Sequence, residues 1–248
     1  MILAHSHLLL RYLTLGFMNR NGMKTFTFHT HIEDKNSTSN SSGINELTKV
    51  LKRADREGKK LIEMFKELAD SLMSLLGSVI KVKSIRGFVT TSQPIREFQL
   101  EGVGIKTWKE TKTHTIKFRQ KYQNIPVYGS IVTVEVGDNY DLIAINSAIG
   151  DPIDIGIDAD PKFKPDQLKD VIQKQTKHDL GSSDIKETLY YYFDTNQKRW
   201  RLVYLVENNS QKIDSLPKSE SAPKIVDYII DAHTGELVSE LPRIKTIR

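Results

Sequence analysis

Two periodicities divide this chain. Between His114 and Val136 apolar residues recur at every second position: Ile116 and Phe118 alternate with Thr115, Lys117 and Arg119, and Val132, Val134 and Val136 alternate with Ile131, Thr133 and Glu135. β-Branched and aromatic residues at period two make one face apolar, which predicts a half-buried antiparallel pair of strands. Asn124, Pro126 and Gly129 between the runs supply turn chemistry. From Ile44 to Leu76 the period becomes helical: Leu47, Val50, Leu51, Ala54, Leu61, Ile62, Phe65, Leu68, Ala69, Leu72 and Leu76 fall on one stripe. Gly58, set among charged residues, is expected to bend or split this helix. Gly77 is the candidate C-cap.

Weaker patterns complete the picture. Residues 24–34 alternate briefly and read as a short strand, and NSTSNSSG at 36–43 is a Ser-rich linker. Ile85 to Trp108 is strand-rich, with turns expected at Gln93-Pro94 and Gly102-Val103-Gly104, and Leu142 to Ala148 adds a strand. The Pro- and Gly-marked stretch from Asp151 to Pro165 marks a boundary. A helix then starts at Pro165 and Asp166, uses Leu168, Val171, Ile172 and Gln175 as a face, and ends near Leu180-Gly181. Leu189, Tyr191 and Phe193, then Trp200, Leu202, Tyr204 and Val206, predict a hairpin closed by Asp194–Lys198. After a solvated insertion at 208–223, Val226, Tyr228 and Ile230 form a strand that turns at Asp231-Ala232-His233-Thr234-Gly235. Runs of strands beside separate helices imply an α+β protein in which antiparallel sheets pack on helices.

Composition narrows the chemistry. The chain has 248 residues, no cysteine and a net charge of +5, with acidic and basic residues interspersed. A disulfide framework and a thiol nucleophile are excluded, and a nucleic-acid partner is not expected. No run approaches the roughly 18 apolar residues of a membrane span. The apolar start is broken by His5, His7 and Arg11 and lacks a small-residue cleavage site, so a secretory signal is not expected. That favours the cytoplasm. A start at Met23, or descent from a secreted precursor, would instead make the chain extracellular. His29 and His31 share a face of their strand, but two ligands without a third make no metal site. His178 and His233 fall at a helix end and in a turn, where imidazoles are exposed. None of the seven histidines is followed by Glu, so the His-Glu-x-x-His zinc motif is missing, as are Gly-x-Ser-x-Gly and Gly-rich phosphate loops. Neither a catalytic residue, nor a cofactor, nor a metal is expected.

Arg119, Gln120, Tyr122, Ile125, Pro126, Val127, Tyr128 and Gly129 follow in register an Arg/Gln-Gln-x-Tyr-x-x-Ile/Val-Pro-Val-x-Gly pattern. This stretch resembles the propeptide domain of thermolysin- and fungalysin-type metalloproteases. The later helix, hairpin and Asp231-x-x-Thr234-Gly235 turn resemble the PepSY domain that follows it in long precursors. The resemblance implies two consecutive small propeptide-like domains, at 85–151 and 162–240. An N-terminal segment (1–43) and an amphipathic helical segment (44–84) precede them, and a tail (241–248) follows; residues 1–84 match no such motif. It further implies a non-catalytic module that binds a thermolysin-like catalytic domain, in cis or in trans, as chaperone and inhibitor. By position, Arg243, Ile244, Lys245 and Thr246 would contact the protease cleft. The alternative is an interaction or structural module that keeps the propeptide fold without binding a protease. Limited proteolysis should cut first within 37–42 and 210–222, where polar, Ser- and Pro-rich chain opens at little cost. Early cutting inside 116–136 would refute the central hairpin.

Overall fold

The computed structural model describes residues 9–15, 22–32, 41–81, 98–152, 157–177, 180, 185–208 and 225–243. Most of the Ser-rich linker, the Gln93-Pro94 turn, His178, Gly181, most of the 208–223 insertion and residues 244–248 lie outside them. The chain divides into two compact units, Met1–Asp151 and Pro152–Arg248.

In the first unit, period two becomes an antiparallel sheet in the order β1-β2-β7-β6-β4-β3. Its strands are β1 (Leu9–Leu15), β2 (Met23–Ile32), β3 (Gln99–Trp108), β4 (Thr113–Tyr122), β6 (Ile131–Gly137) and β7 (Leu142–Gly150). The two-residue β5 (Ile125–Pro126) pairs with β4 alone. The expected hairpin partners meet in register, with Ile116 opposite Val134 and Phe118 opposite Val132. All four are completely buried with Val136, whereas Ile131, on the other face, is 43% exposed. The short strand at residues 24–34 is better built than its weak pattern implied. As β2 it sits between β1 and β7, with Phe26 and Phe28 fully buried.

Helices α1 (Ser41–Glu57) and α2 (Phe65–Lys81), joined by a 3-10 turn at Leu61–Met64, lie on the buried face. Gly58 does split the helix. At φ +65° it lets its own N–H bond Asp55 O and the Lys59 N–H bond Ala54 O, which satisfies the last carbonyls of α1. Gly77, in contrast, is not a cap, because α2 continues to Lys81. The turn expected at Gly102-Val103-Gly104 is instead a bulge inside β3, where Val103 is the extra residue and points to solvent. Gly102 is there for space. A Cβ at this position would lie 2.4 Å from the Phe65 ring, which stands edge-on to Phe118 at 5.7 Å.

The second unit is a four-stranded antiparallel sheet in the order β11-β10-β9-β8. Its strands are β8 (Ile185–Asp194), β9 (Arg199–Asn208), β10 (Ile225–Asp231) and β11 (Leu237–Arg243). Helix α3 (Leu168–Thr176) follows a 3-10 turn opened by Pro165 and buries Leu168 and Ile172 completely. It stops at Lys177, which adopts the left-handed conformation, a few residues earlier than expected. Alternation in β9 suggested one buried face, yet Val203 and Leu205 are buried as well as Leu202 and Tyr204. Central strands of a sheet lose solvent on both sides more readily than edges do. The protein is α+β, with antiparallel sheets packed on helices.

Replacing Gly102 with Ala should destabilise the first unit by about 1–3 kcal/mol, the usual cost of forcing extra volume into a packed contact. The same change at Gly104, where nothing lies within 4 Å, should be nearly neutral. Chemical denaturation of the two variants checks the contrast, and equal effects would refute the packing role.

Candidate functional site

The motif residues of the first unit converge where β4 outruns its neighbour. Ile131, the first residue of β6, pairs with Ala148, so β6 ends before it can reach Gly150. Gln120 of β4 fills that gap. Its fully buried side chain accepts a hydrogen bond from the Gly150 N–H at 2.8 Å and donates one to the Gly150 carbonyl at 2.8 Å. A side-chain amide thus takes the place of the absent strand's peptide group. Leaving a buried peptide group without its partner would cost about 1–3 kcal/mol. The Tyr122 hydroxyl closes the cluster, within 3.3 Å of Gln120 Nε2 and 3.4 Å of the Gly150 carbonyl.

The segment between the strands is bent by the remaining motif positions. Gln123 (φ 49°) and Asn124 (φ 65°) form the left-handed pair of a tight hairpin turn into β5. Pro126 is buried opposite Lys121, and the buried Val127 donates its N–H to the Gln120 carbonyl at 2.9 Å. Gly129 has φ +76° and precedes Ser130, whose hydroxyl accepts from the Gln120 N–H. Arg119 is half-buried on the opposite face and does not join this cluster.

In the second unit, Asp231, Thr234 and Gly235 also form one constellation. Asp231 Oδ1 accepts the N–H groups of His233 and Thr234, at 2.9 and 3.0 Å, while Gly235 donates back to the Asp231 carbonyl at 2.9 Å. Gly235 (φ +72°) is also pressed against Phe163, whose ring would be 2.6 Å from an added Cβ. Lys162 and Phe163 both donate their N–H to Ala232 O. The exposed imidazole expected at His233 is therefore half-buried instead, with Nε2 shielded, because residues 162–163 lie along this turn.

Sequence reasoning missed the group that locks this turn. Arg201 of β9, 4% exposed, sends Nε to Asp194 Oδ2 (3.0 Å) and Nη1 to Asp231 Oδ2 (2.7 Å) and Glu236 Oε2 (3.3 Å). Asp194 Oδ1 in turn accepts the N–H groups of Asn196 and Gln197. One guanidinium thereby ties the β8–β9 turn to the β10–β11 turn. Gln175 of α3 adds a second tie, donating to Gly235 O and accepting from Leu237 N–H. An arginine inside the apolar run Trp200-Arg201-Leu202-Val203, with an aspartate opening each hairpin turn, was the available signal. Burial would raise the Asp231 carboxyl, but Arg201 and the two backbone donors outweigh it and hold it below its ordinary value of 3.8.

Among the described residues no group of three His, Cys, Asp or Glu side chains is placed to hold a metal. His29 is half-buried on β2, while the His31 side chain lies outside the described residues. Arg243 ends β11; its side chain and Ile244, Lys245 and Thr246 are likewise outside. No helix among the described residues is long and apolar enough to cross a membrane.

Residues 103–149 match the family model of the Fungalysin/Thermolysin Propeptide Motif. The motif is present. It runs from the β3 bulge to the penultimate residue of β7, and so contains the Gln120 cluster except for Gly150. Among solved structures, the Bacillus megaterium YpeB C-terminal domain aligns with 98% of this chain and 92% of that chain, at 11% identity and a TM-score of 0.35. No curated protein matches the sequence.

The second unit should lose stability in acid. A carboxyl whose folded value lies below its unfolded one contributes fully above the unfolded value, near 3.8 for Asp231, and that contribution disappears as pH falls through the folded value. Asp231→Asn should cost about 3 kcal/mol at neutral pH, the lower end for breaking a buried pair since Asp194 still holds Arg201. It should also flatten the decline below about pH 4. Denaturation of both proteins across that range checks this, and parallel curves would refute it.

Proposed function

We propose that this chain is a non-catalytic, propeptide-type module that binds the catalytic domain of a thermolysin-like zinc metalloprotease, in cis or in trans, assisting its folding and inhibiting it. The observation that carries this reading is the propeptide motif over residues 103–149, whose buried positions build one reinforced sheet. The resemblance of the second unit to a PepSY domain supports it, through the Asp231-x-x-Thr234-Gly235 turn. A module that presents a complementary surface stabilises the native protease, or the transition state leading to it, by mass action. Inhibition would come from Arg243, Ile244, Lys245 and Thr246 entering the substrate cleft as an added strand.

Strand β11 sets the limits of the test. Leu241, Pro242 and Arg243 pair with Asp227, Val226 and Ile225, so the truncation that spares the sheet removes residues 244–248. A thermolysin-type protease should lose peptidase activity, and refold in higher yield, as this chain is added in excess. The truncation should weaken inhibition more than binding. Val132→Asp should abolish both, because an unpaired charge in a completely buried site costs several kcal/mol. If neither activity nor refolding yield responds to the intact chain, the protease reading fails and the alternative, an interaction or structural module that keeps the propeptide fold, takes its place.

A further inference from the structure

The first unit's sheet has a second face, on which cations stand beside exposed apolar side chains. Alternation in the observed register places Lys106 and Trp108 of β3, Lys117 and Arg119 of β4, and Ile131 and Glu135 of β6 on the side away from Ile116, Phe118, Val132 and Val134. Helices α1 and α2 lie on the opposite side, where Phe65 meets Phe118.

On the helical side and its rim four cations are ion-paired, while Arg56, Lys60 and Lys66 form no ion pair among the described residues. Lys49 pairs with Glu46, Lys52 with Asp141, Arg53 with Glu67 and Lys59 with Glu57. On the open face Lys121 is held by Glu101 at 2.7 Å. Among the described residues, no carboxylate forms an ion pair with Lys106, Lys117 or Arg119. Beside them stand the exposed apolar groups Trp108 (42%) and Ile131 (43%). The indole is already held in place: Nε1 donates to Thr115 Oγ1 at 3.1 Å, and Lys106 Nζ sits 3.6 Å from the ring centroid. A fixed aromatic loses little entropy when it is covered, and Trp and Arg are the side chains that most often anchor protein interfaces.

We propose that this open face is a docking surface for an acidic polypeptide, with Lys117 and Arg119 pairing its carboxylates and Trp108 as the apolar anchor. Charge complementarity selects the occupant. Single-stranded nucleic acid is bound on successive stacking aromatics along a cationic track, whereas on β3, β4 and β6 this face offers Trp108 as its one aromatic and carries Glu135 and Glu101 among its cations. Those two carboxylates can pair the occasional basic side chain of an acidic polypeptide, which a phosphate backbone lacks. The surface goes beyond the protease reading and does not require it.

The test uses poly-L-glutamate with the full chain, followed by calorimetry and by tryptophan fluorescence. Trp200 is 7% exposed, so a change in emission on binding reports Trp108. Lys117→Glu with Arg119→Glu should weaken binding at least tenfold, and Lys117→Gln with Arg119→Gln by a smaller but measurable factor. Lys49→Glu with Lys66→Glu on the helices makes the same change in net charge and should alter affinity less than threefold. Circular dichroism confirms that each variant is folded. Equal weakening by the helix pair would reduce the effect to net charge and overturn the proposal, as would absence of binding at low salt. Tighter binding of an oligothymidylate of equal charge would overturn it in favour of a nucleic-acid surface.

Discussion

A buried amide admits no partial solution: each of its polar atoms must find a partner or cost free energy comparable to a lost hydrogen bond. Gln120 meets that constraint where β6 stops short of the end of β7. Because β6 begins at Ile131, the peptide group of Gly150 has Met23 of β2 on one side but no strand partner on the side facing β4. The Gln120 side chain supplies a donor and an acceptor at the correct spacing, at 2.8 Å each, and so extends the ladder without extending the strand. The loop between β4 and β6 can then turn away through Asn124, Pro126 and Gly129 without leaving unpaired backbone behind it.

The second unit reaches the same end with charge in place of an amide. Arg201 stands on a central strand and gathers aspartates from two hairpin turns, each of which also accepts backbone N–H groups. A pair of this kind is stable only when its members are satisfied together. The guanidinium thus couples two turns that are distant in sequence, and Gln175 joins α3 to the same corner. Asp194 and Asp231 are each capable of a local turn alone. Held by one cation, they fix the hairpins relative to each other.

In both units the residues that define a motif are engaged in the fold's own contacts. Gln120, Tyr122, Val127, Asp231 and Gly235 bond to backbone or fill space. The motif at 103–149 therefore marks a scaffold. Whatever this protein binds must meet the surfaces that the scaffold presents, where partner-specific chemistry is free to differ between chains of the same fold.

Much of that scaffold was legible in the sequence. Period-two apolar residues fixed β4, β6 and β7, because a one-residue slip would turn Phe118 and Val132 into water. Turn chemistry placed the hairpins, and Gly58 placed the break between α1 and α2, since local backbone energetics decide both. What escaped depended on partners remote along the chain. β2 took its place because Phe26 and Phe28 have the core to fill, although its alternation is short. Gly102-Val103-Gly104 became a bulge and not a turn because β4 continues alongside and Phe65 occupies the space above Gly102. Arg201 falls between the alternating positions Trp200 and Leu202, and only the fold brings Asp194 and Asp231 around it. Local periodicity marks the face that an element turns to the core; only the tertiary structure decides whether the other face is covered too and which buried polar groups meet, because those partners are chosen by geometry across the fold and leave no pattern in the neighbouring sequence.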